Sequence, residues 1–257
     1  MTGQDKKKID IMIEGGKVLG KILQELMDFS EPGVLLNDIE ALAQKRIKEA
    51  GMKPSFSTVA NYKWATCLCV NEVIVHGIPN AYELREDDVL TVDIGLINST
   101  YHLDTAWSKV MHKGSGKTDP DVQKFLDTGK LALEQAIREV KPGNRVGHIS
   151  QTIQKIVEGS GYGIVKPLVG HGIGTTLHEP PQIPGYLRGN VEKTPLLVPG
   201  MTIAVEVIYS MGKPAVTYLE DGWSIATQDG SLSAVFEQSL AITDEGCIVL
   251  TPKPNVI

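Results

Sequence analysis

Five side chains of the types that bind metal ions lie along the last two-thirds of the sequence, each in an apolar or glycine-rich run. They are Asp93, Asp104, His171, Glu206 and Glu237. A carboxylate in the middle of an apolar strand is costly to bury unless it is paired or binds a cation. A single carboxylate of this kind could be an accident of packing, but four of them and a histidine indicate a common cause.

The cause that we favour is a site for two divalent metal ions. Two cations about 3.5–4 Å apart need bridging carboxylates together with terminal ligands. Four carboxylates balance the four positive charges of two such ions, so the loaded site would be close to neutral. A ligand set of oxygens and one imidazole favours Co, Mn, Fe or Zn and disfavours a structural zinc site built on thiolates. The sequence therefore predicts two divalent metal ions per chain.

The residues around these side chains form several long motifs that occur in a fixed order along the chain. These are Asn71–Pro79, Val92–Gly95, Gly170–Gly174, Leu177–Pro184 and Asp221–Ser239. Together they resemble the type I methionine aminopeptidases, and the resemblance runs from about Ile9 to Leu250. Another branch of that family has a helical insertion after its second active-site histidine. Here only 28 positions separate His178 from Glu206 (206 − 178), too few for that insertion.

The resemblance implies a fold and a reaction. The fold would be the α+β pita-bread fold, in which an antiparallel sheet carries outer helices and has internal pseudo-two-fold symmetry. One catalytic domain would cover residues 1–257, with related halves at about 9–112 and 119–250. The reaction would remove the N-terminal methionine from nascent proteins and peptides, preferably before a small second residue. A hydroxide activated by the two metal ions would attack the first peptide bond.

The same resemblance implies roles for individual residues. The five residues named above would be the metal ligands, with Asp104 and Glu237 bridging the ions, and Glu206 would also carry a proton to the leaving amine. His178 would donate to the scissile carbonyl, and His76 would contact the amide nitrogen or the tetrahedral intermediate. The remaining histidines rank lower: His102 would support Asp104 from behind, and His112 and His148 are expected at the surface.

The pocket for the methionine side chain is also implied by the resemblance, with differences. Tyr62, Cys67 and Trp223 match positions that line this pocket in the family. Other positions depart from the family pattern, so we expect a reshaped pocket and intact metal ligands. Phe56, Val59 and Leu177 stand where bacterial members prefer Cys, Tyr and Phe; Val207 and Gln238 replace a proline and a histidine; and Ala106 and Trp107 replace small polar residues.

The segments that must position these residues contain an internal repeat. Residues 32–51 and 142–161, at an offset of 110 (142 − 32), are identical at six of 20 positions, against about one expected by chance. In each copy a Pro-Gly turn separates two helices, the second helix ends at a glycine, and strands rich in Val, Ile and Thr follow. Ligands from both halves would then converge on a central cleft, with Lys113–Pro120 as the crossover.

Composition limits the partners. A net charge of −6 argues against an obligate nucleic-acid partner. Three cysteines, an odd number too small for a disulfide framework, favour a reducing cytoplasm. No apolar stretch is long enough to span a membrane, and the run after Lys6–Lys8 reads as a first helix from about Ile9. Nascent polypeptides are the implied partners, with ribosome association plausible and a monomer expected.

Two other functions remain open at this point. The first is an X-Pro peptidase or another pita-bread metallohydrolase; those relatives generally carry an extra N-terminal domain, for which we expect no room before the first helix. The second is a pita-bread protein that has lost catalysis and serves as a binding module. Such a protein is expected to have lost ligands, whereas all five are present in this sequence.

Overall fold

Four α-helices occur in the part of the chain that the structure, a computed structural model, describes: residues 1–113 and 116–256. They are α1 Gly3–Phe29, α2 Leu36–Glu49, α3 Pro120–Arg138 and α4 Val146–Gly159. The expected start of the first helix near Ile9 is wrong, because Thr2 and Asp5 form a capping box. The Thr2 N–H donates to Asp5 Oδ2 over 2.8 Å, and the Asp5 N–H donates to Thr2 Oγ1 over 3.2 Å.

Thirteen strands occur in the same described residues, and every strand pair is antiparallel. Two 3-10 turns, Phe56–Thr58 and Val191–Lys193, accompany them. The strands are β1 Lys53–Pro54, β2 Thr66–Val70, β3 Val73–Val75, β4 Val89–Asn98, β5 Tyr101–Val110, β6 Gly163–Ile164, β7 Val169–Gly172, β8 Glu179–Pro184, β9 Thr202–Ser210, β10 Val216–Tyr218, β11 Ile225–Thr227, β12 Ser233–Thr243 and β13 Gly246–Val249.

The main sheet runs in the order β1-β4-β5-β12-β9-β7-β8, with β2 beside β4, β6 beside β9 and β13 beside β12. A smaller sheet has the order β10-β11-β3. Helix α1 packs on β4 and β5, and α3 packs on β9 and β12. The core fills the space between these helices and the sheet, where Leu19, Leu23 and Phe125 are fully buried. No helix in the described residues is long and apolar enough to cross a membrane.

The two copies of the sequence repeat follow the same course. The glycine that ends each second helix has a positive φ, 71° at Gly51 and 89° at Gly161, which suits a residue without a Cβ atom. The short strands β1 and β6 begin 110 residues apart (163 − 53) and pair with the carboxyl ends of β4 and β9. The two groups of strands meet where β5 pairs with β12. Residues 114 and 115 of the expected crossover lie outside the described residues.

Candidate metal centre and active site

Five strands that are consecutive in the main sheet each carry one of the five ligand-type side chains. In the order β4-β5-β12-β9-β7, these are Asp93, Asp104, Glu237, Glu206 and His171. The first two come from the amino-terminal half of the chain and the other three from the carboxyl-terminal half. Side chains from both parts of the chain therefore lie on neighbouring strands of one sheet.

Strand register brings three of the carboxylates into one row. Asp93 lies opposite Ala106, Ala106 lies opposite Glu237, and Glu237 lies opposite Glu206. Residues directly opposite each other in antiparallel strands point to the same face of the sheet. Ala106, which is fully buried, occupies the one position in this row without a carboxylate side chain.

The other two ligands stand one step along the strands, on the same face. Asp104 precedes Ala106 by two residues, and side chains two apart on a strand point to the same side. His171 lies opposite Ala204, which precedes Glu206 by two residues. One Asp104 oxygen, one His171 nitrogen and one Glu237 oxygen all lie within 4.8 Å of one another.

Glycine allows the strand that carries His171 to approach its neighbours closely. A Cβ atom at Gly172 would lie 2.2 Å from the backbone oxygen of Pro180, and one at Gly170 would lie 2.6 Å from that of Ala204. Neither distance is possible for a real side chain, so only glycine permits this packing. The Gly170-His171-Gly172 motif thus brings the imidazole within 4.8 Å of carboxylate oxygens of Asp104 and Glu237.

His171 presents an unprotonated nitrogen to the carboxylates. Its Nδ1 lies 2.8 Å from the Gly172 carbonyl oxygen, which can only accept, so Nδ1 carries the proton and Nε2 a lone pair. Burial, with a smaller contribution from His178, lowers the pKa of His171 to about 4, so the ring is neutral at pH 7. Nε2 is 4.0 Å from Asp104 Oδ2 and 3.9 Å from Glu206 Oε1, too far for a hydrogen bond.

The carboxyl groups have raised pKa values because they are buried together. Burial is the largest cause in each case; it raises the pKa of Glu206 to about 8 and that of Asp104 to about 7. The pKa values of Asp93 and Glu237 are also raised well above their usual range, with neighbouring carboxylates adding to the effect of burial. Four acidic groups in one buried cluster are therefore electrostatically unfavourable as they stand.

The carboxylate oxygens and the His171 nitrogen are suited to binding a cation. Asp93 Oδ1, Asp104 Oδ1 and Glu237 Oε1 are buried and have no hydrogen-bond partner within residues 1–113 and 116–256. Buried polar atoms are rarely left in this state. The separations of His171 Nε2 from the carboxylate oxygens, 3.9 and 4.0 Å, do not exceed about 4.0–4.4 Å, the longest distance that two ligands at about 2.0–2.2 Å from one ion can span. The donor set, oxygens with one neutral imidazole, therefore suits divalent metal ions.

His76 and His178 stand at the mouth of the same cavity and are exposed to solvent. The His178 ring packs edge-on against His171, with ring centroids 4.4 Å apart. His76 has a φ of +58°, an unusual backbone conformation for a residue other than glycine that often marks functional sites. Desolvation lowers the pKa of both rings, and the proximity of His178 lowers that of His76 further.

Apolar and aromatic side chains form the rest of a cavity of about 160 Å³. Tyr62 is central, because its ring packs edge-on against Trp223 at 5.0 Å and its hydroxyl lies 3.2 Å from Cys67 Sγ. The structure brings all the sequence-predicted site residues to this cavity. Its wall consists of Phe56, Val59, Tyr62, Cys67, Val75, Leu177 and Trp223. Val75, an apolar residue of β3, is not among the predicted wall residues.

The remaining histidines serve other purposes. His102 is buried behind the site, where its ring Nδ1 pairs with Ser55 Oγ at 2.7 Å. Its backbone N–H donates to the Gly174 carbonyl oxygen. His112 and His148, which the sequence predicts to be solvent-exposed, are instead half-buried. His112 Nε2 pairs with Thr118 Oγ1 at 2.8 Å. His148 Nδ1 accepts from the Arg145 N–H over 3.0 Å and so caps the start of α4.

The family to which the chain belongs agrees with the cluster of metal-ligand-type side chains. A family model described as metallopeptidase family M24 matches residues 10–244. The chain therefore belongs to metallopeptidase family M24, and its full-length relatives are methionine aminopeptidases. It is 37% identical to methionine aminopeptidase 1 of Bacillus subtilis over 95% of this chain and 96% of the relative. It is 32% identical to the Escherichia coli methionine aminopeptidase over 97% and 92%.

Solved structures agree. The methionine aminopeptidase of Thermotoga maritima superimposes with a TM-score of 0.91 at 36% identity, covering 98% of each chain. The prolidase of Pyrococcus horikoshii superimposes with a TM-score of 0.78 at 19% identity, covering 98% of this chain but 64% of the prolidase. The prolidase likeness shows the fold alone. The predicted α+β pita-bread fold and the predicted relationship to methionine aminopeptidases are both confirmed.

Proposed function

We propose that this protein is a metal-dependent methionine aminopeptidase. It removes the N-terminal methionine from nascent polypeptides and peptides, with a preference for a small second residue. The observation that carries this proposal is that the five ligand-type side chains and a wall of apolar side chains line the same cavity. Its identity of 37% with a named methionine aminopeptidase over nearly the full chain supports the same activity.

The five ligands would hold two divalent ions, Co, Mn, Fe or Zn. Asp104 and Glu237, which stand near the middle of the strand order, are the proposed bridging ligands, and Asp93, His171 and Glu206 the terminal ones. When bound, such ions activate a water molecule as a nucleophile and polarise the carbonyl of the first peptide bond. Four carboxylates and a neutral imidazole match the charge of two such ions, which supports this assignment.

The chain's own residues perform the remaining tasks. His178, at the cavity mouth, is placed where its N–H group could donate to the carbonyl oxygen, and His76 is placed where it could contact the amide nitrogen or the tetrahedral intermediate. Glu206, only partly buried and facing the cavity beside His171, would carry a proton to the leaving amine. Both histidines are neutral imidazoles near pH 7 because their pKa values are lowered.

The apolar wall accounts for the first residue of the substrate. A methionine side chain is unbranched and flexible, and its sulfur makes favourable contacts with aromatic rings. Tyr62 and Trp223 offer two such rings, which pack edge to face with an interplanar angle of 73°. Leu177, Phe56 and Cys67 line the rest of the slot. This combination supports methionine over charged or polar residues at the first position.

The alternatives have less support. The prolidase likeness rests on 19% identity and spans 64% of that protein, whereas full-length coverage and higher identity favour methionine aminopeptidase. A binding module that has lost catalysis would not need five ligands aligned on five consecutive strands. We also propose a single domain with related halves at about 9–112 and 119–250. A cytoplasmic monomer that meets nascent chains at the ribosome is the cellular setting we propose.

The test uses the purified chain, stripped of metal and then loaded separately with Co, Mn, Fe or Zn. We expect methionine release from a Met-Ala-Ser peptide with at least one metal. A matched N-acetylated peptide should stay intact, since the free amine is needed. If no metal supports this reaction but X-Pro peptides are cleaved, the proposed substrate is wrong. If the protein binds metal but cleaves no peptide, the result would support the alternative that it is a binding module without catalytic activity.

A further inference from the structure

A buried carboxylate lies behind the wall of the methionine slot. Glu40, on α2, is 6% exposed and does not line the cavity. Among residues 1–113 and 116–256, no lysine, arginine or histidine lies within salt-bridge distance of it. A buried carboxylate without a cation needs hydrogen-bond donors. Its partners therefore indicate what it holds in place.

Three of its four donors belong to two residues at the start of β2. The Ala65 N–H donates to Glu40 Oε1 over 2.8 Å. The Thr66 N–H and hydroxyl donate to Oε2 over 3.0 and 2.6 Å. The fourth donor, Gln44 Nε2, comes from one turn further along α2 and reaches Oε1 over 2.6 Å. The carboxylate thus joins helix α2 to the backbone of residues 65 and 66.

That backbone segment carries the wall of the slot. The Tyr62 hydroxyl donates to the Thr66 carbonyl oxygen over 2.8 Å, which ties the ring to the segment that Glu40 holds. Cys67, the next residue, lines the cavity and lies opposite Asp93 in the β2–β4 pair. Tyr62 in turn packs edge-on against Trp64 at 5.1 Å and Trp223 at 5.0 Å.

We propose that Glu40 is a positioning residue for the methionine slot: it sets the place of Tyr62 and Cys67 through Ala65 and Thr66. The inference rests on the proposed function, because it assigns that wall to the first residue of the substrate. The carboxylate acts at a distance from the substrate, through hydrogen bonds to backbone groups that cannot rotate away.

The chemistry demands a carboxylate at this position. In Glu40→Gln, one oxygen becomes an NH₂ group of the same size, so the shape is conserved. The Thr66 hydroxyl and the Gln44 amide can turn to accommodate it. The Ala65 and Thr66 N–H groups cannot, so in either amide orientation one of them faces another donor. The start of β2 must then shift, and Tyr62 and Cys67 shift with it. Glu40→Asp keeps both acceptor oxygens but is one methylene shorter, so it should displace Tyr62 and Cys67 less than Glu40→Gln does.

The experiment compares Glu40→Gln and Glu40→Asp with the original chain, each loaded with the best-supporting metal. For Glu40→Gln we expect KM for Met-Ala-Ser to rise about tenfold, the scale of one lost hydrogen bond to a charged group. We expect kcat to change less than about threefold and metal content to stay the same, because no ligand is touched. Discrimination between Met-Ala-Ser and Leu-Ala-Ser should fall, and Glu40→Asp should show smaller changes in the same direction.

A spectroscopic readout and a control separate positioning from general damage. Trp64 and Trp223 both contact Tyr62, so the near-ultraviolet circular dichroism of Glu40→Gln should change while its far-ultraviolet spectrum does not. Gln44→Ala removes the one donor to Glu40 that lies on α2 and not on residues 65 and 66. This control variant should leave KM unchanged.

Should Glu40→Gln fail to fold, Thr66→Val, which removes only the hydroxyl donor, provides the same KM test. An unchanged KM and unchanged Met-to-Leu ratio in the folded variants, or equal losses of kcat and metal, would overturn the proposal. An original chain without peptidase activity would instead overturn the proposed function.

Discussion

Glu206 and Glu237 stand directly opposite each other on neighbouring antiparallel strands, in a row that ends at Asp93. Like charges in directly opposed positions destabilise a sheet. Burial and neighbouring carboxylates raise the pKa of both groups, that of Glu206 to about 8. The fold thus places a repulsive pair where the reaction is proposed to occur. Divalent cations would turn this repulsion into binding energy.

The first prediction concerns the pH dependence of the metal-free protein. Groups whose pKa is higher in the folded state stabilise the fold when protonated, and that stabilisation is lost as the pH rises through the folded pKa. For Asp104 and Glu206 these values are about 7 and about 8. The lowered pKa of His171, about 4, acts in the opposite direction but only below the usual value of 6.5. The melting temperature in chelator should therefore fall from about pH 6.5 to pH 8.

The matched control for this experiment is Glu237→Gln, which removes one member of the cluster. Its metal-free form should melt at a higher temperature than the original chain at pH 8 and depend less on pH, because less repulsion remains. Adding metal to the original chain should stabilise it more at pH 8 than at pH 6.5, since binding requires deprotonated ligands. A metal-free melting temperature that rises across this interval would contradict the raised pKa values.

The second prediction concerns Asp104 as a bridging ligand. Asp104→Asn keeps the size of the side chain but removes the charge that would be shared between two ions. We expect metal content to fall from about two ions per chain to less than one, with activity nearly abolished and circular dichroism unchanged. Asp127→Asn, at an exposed position on α3, is the control and should retain full metal content. Two tightly bound ions and near-normal turnover in Asp104→Asn would rule out the bridging role.

The third prediction separates His178 from the ligands. His178 lines the cavity mouth, and its ring contacts that of His171 without belonging to the carboxylate cluster. If it stabilises the developing oxyanion, His178→Ala should lower kcat by about 10²–10³ and leave metal content unchanged. His171→Ala is the contrasting variant and should lose metal. Elemental analysis beside steady-state kinetics distinguishes the two, and metal loss in His178→Ala would make His178 a ligand.

Much of the site could be predicted from sequence because its residues lie in short motifs. Asp93, His171 and Glu237 stand in local patterns that can be recognised without a structure. The row formed by Asp93, Glu237 and Glu206 could not be predicted, since the pairing of Ala106 with Glu237 links positions 131 residues apart (237 − 106) and depends on tertiary register. The role of Glu40 could not be predicted for a related reason. A glutamate on an amphipathic helix is usually solvent-exposed, and only the three-dimensional fold places β2 against it.

The differences between prediction and structure have local causes. Apolar spacing predicts a first helix from about Ile9, whereas the capping box at Thr2 and Asp5 starts the helix in a polar segment. His112 neighbours Lys113 in a polar turn and His148 stands at a helix start, which predicts solvent exposure for both. Each instead accepts or shares a hydrogen bond with a nearby group and is partly covered as a result. Hydropathy alone does not contain this information.

The last prediction concerns the selectivity of the slot. Trp223 is the largest side chain in the apolar wall, and an aromatic ring can bury roughly 150–250 Å². Trp223→Ala should raise KM for Met-Ala-Ser and relax the preference for Met over Leu at the first position, because the branched side chain gains room. The expected loss of discrimination is about 1–3 kcal/mol, the usual value for a methylene-sized difference. Metal content should not change, since Trp223 contacts Tyr62 and no ligand is removed. Measuring kcat/KM for both peptides checks this, and an unchanged Met-to-Leu ratio would place Trp223 outside the slot.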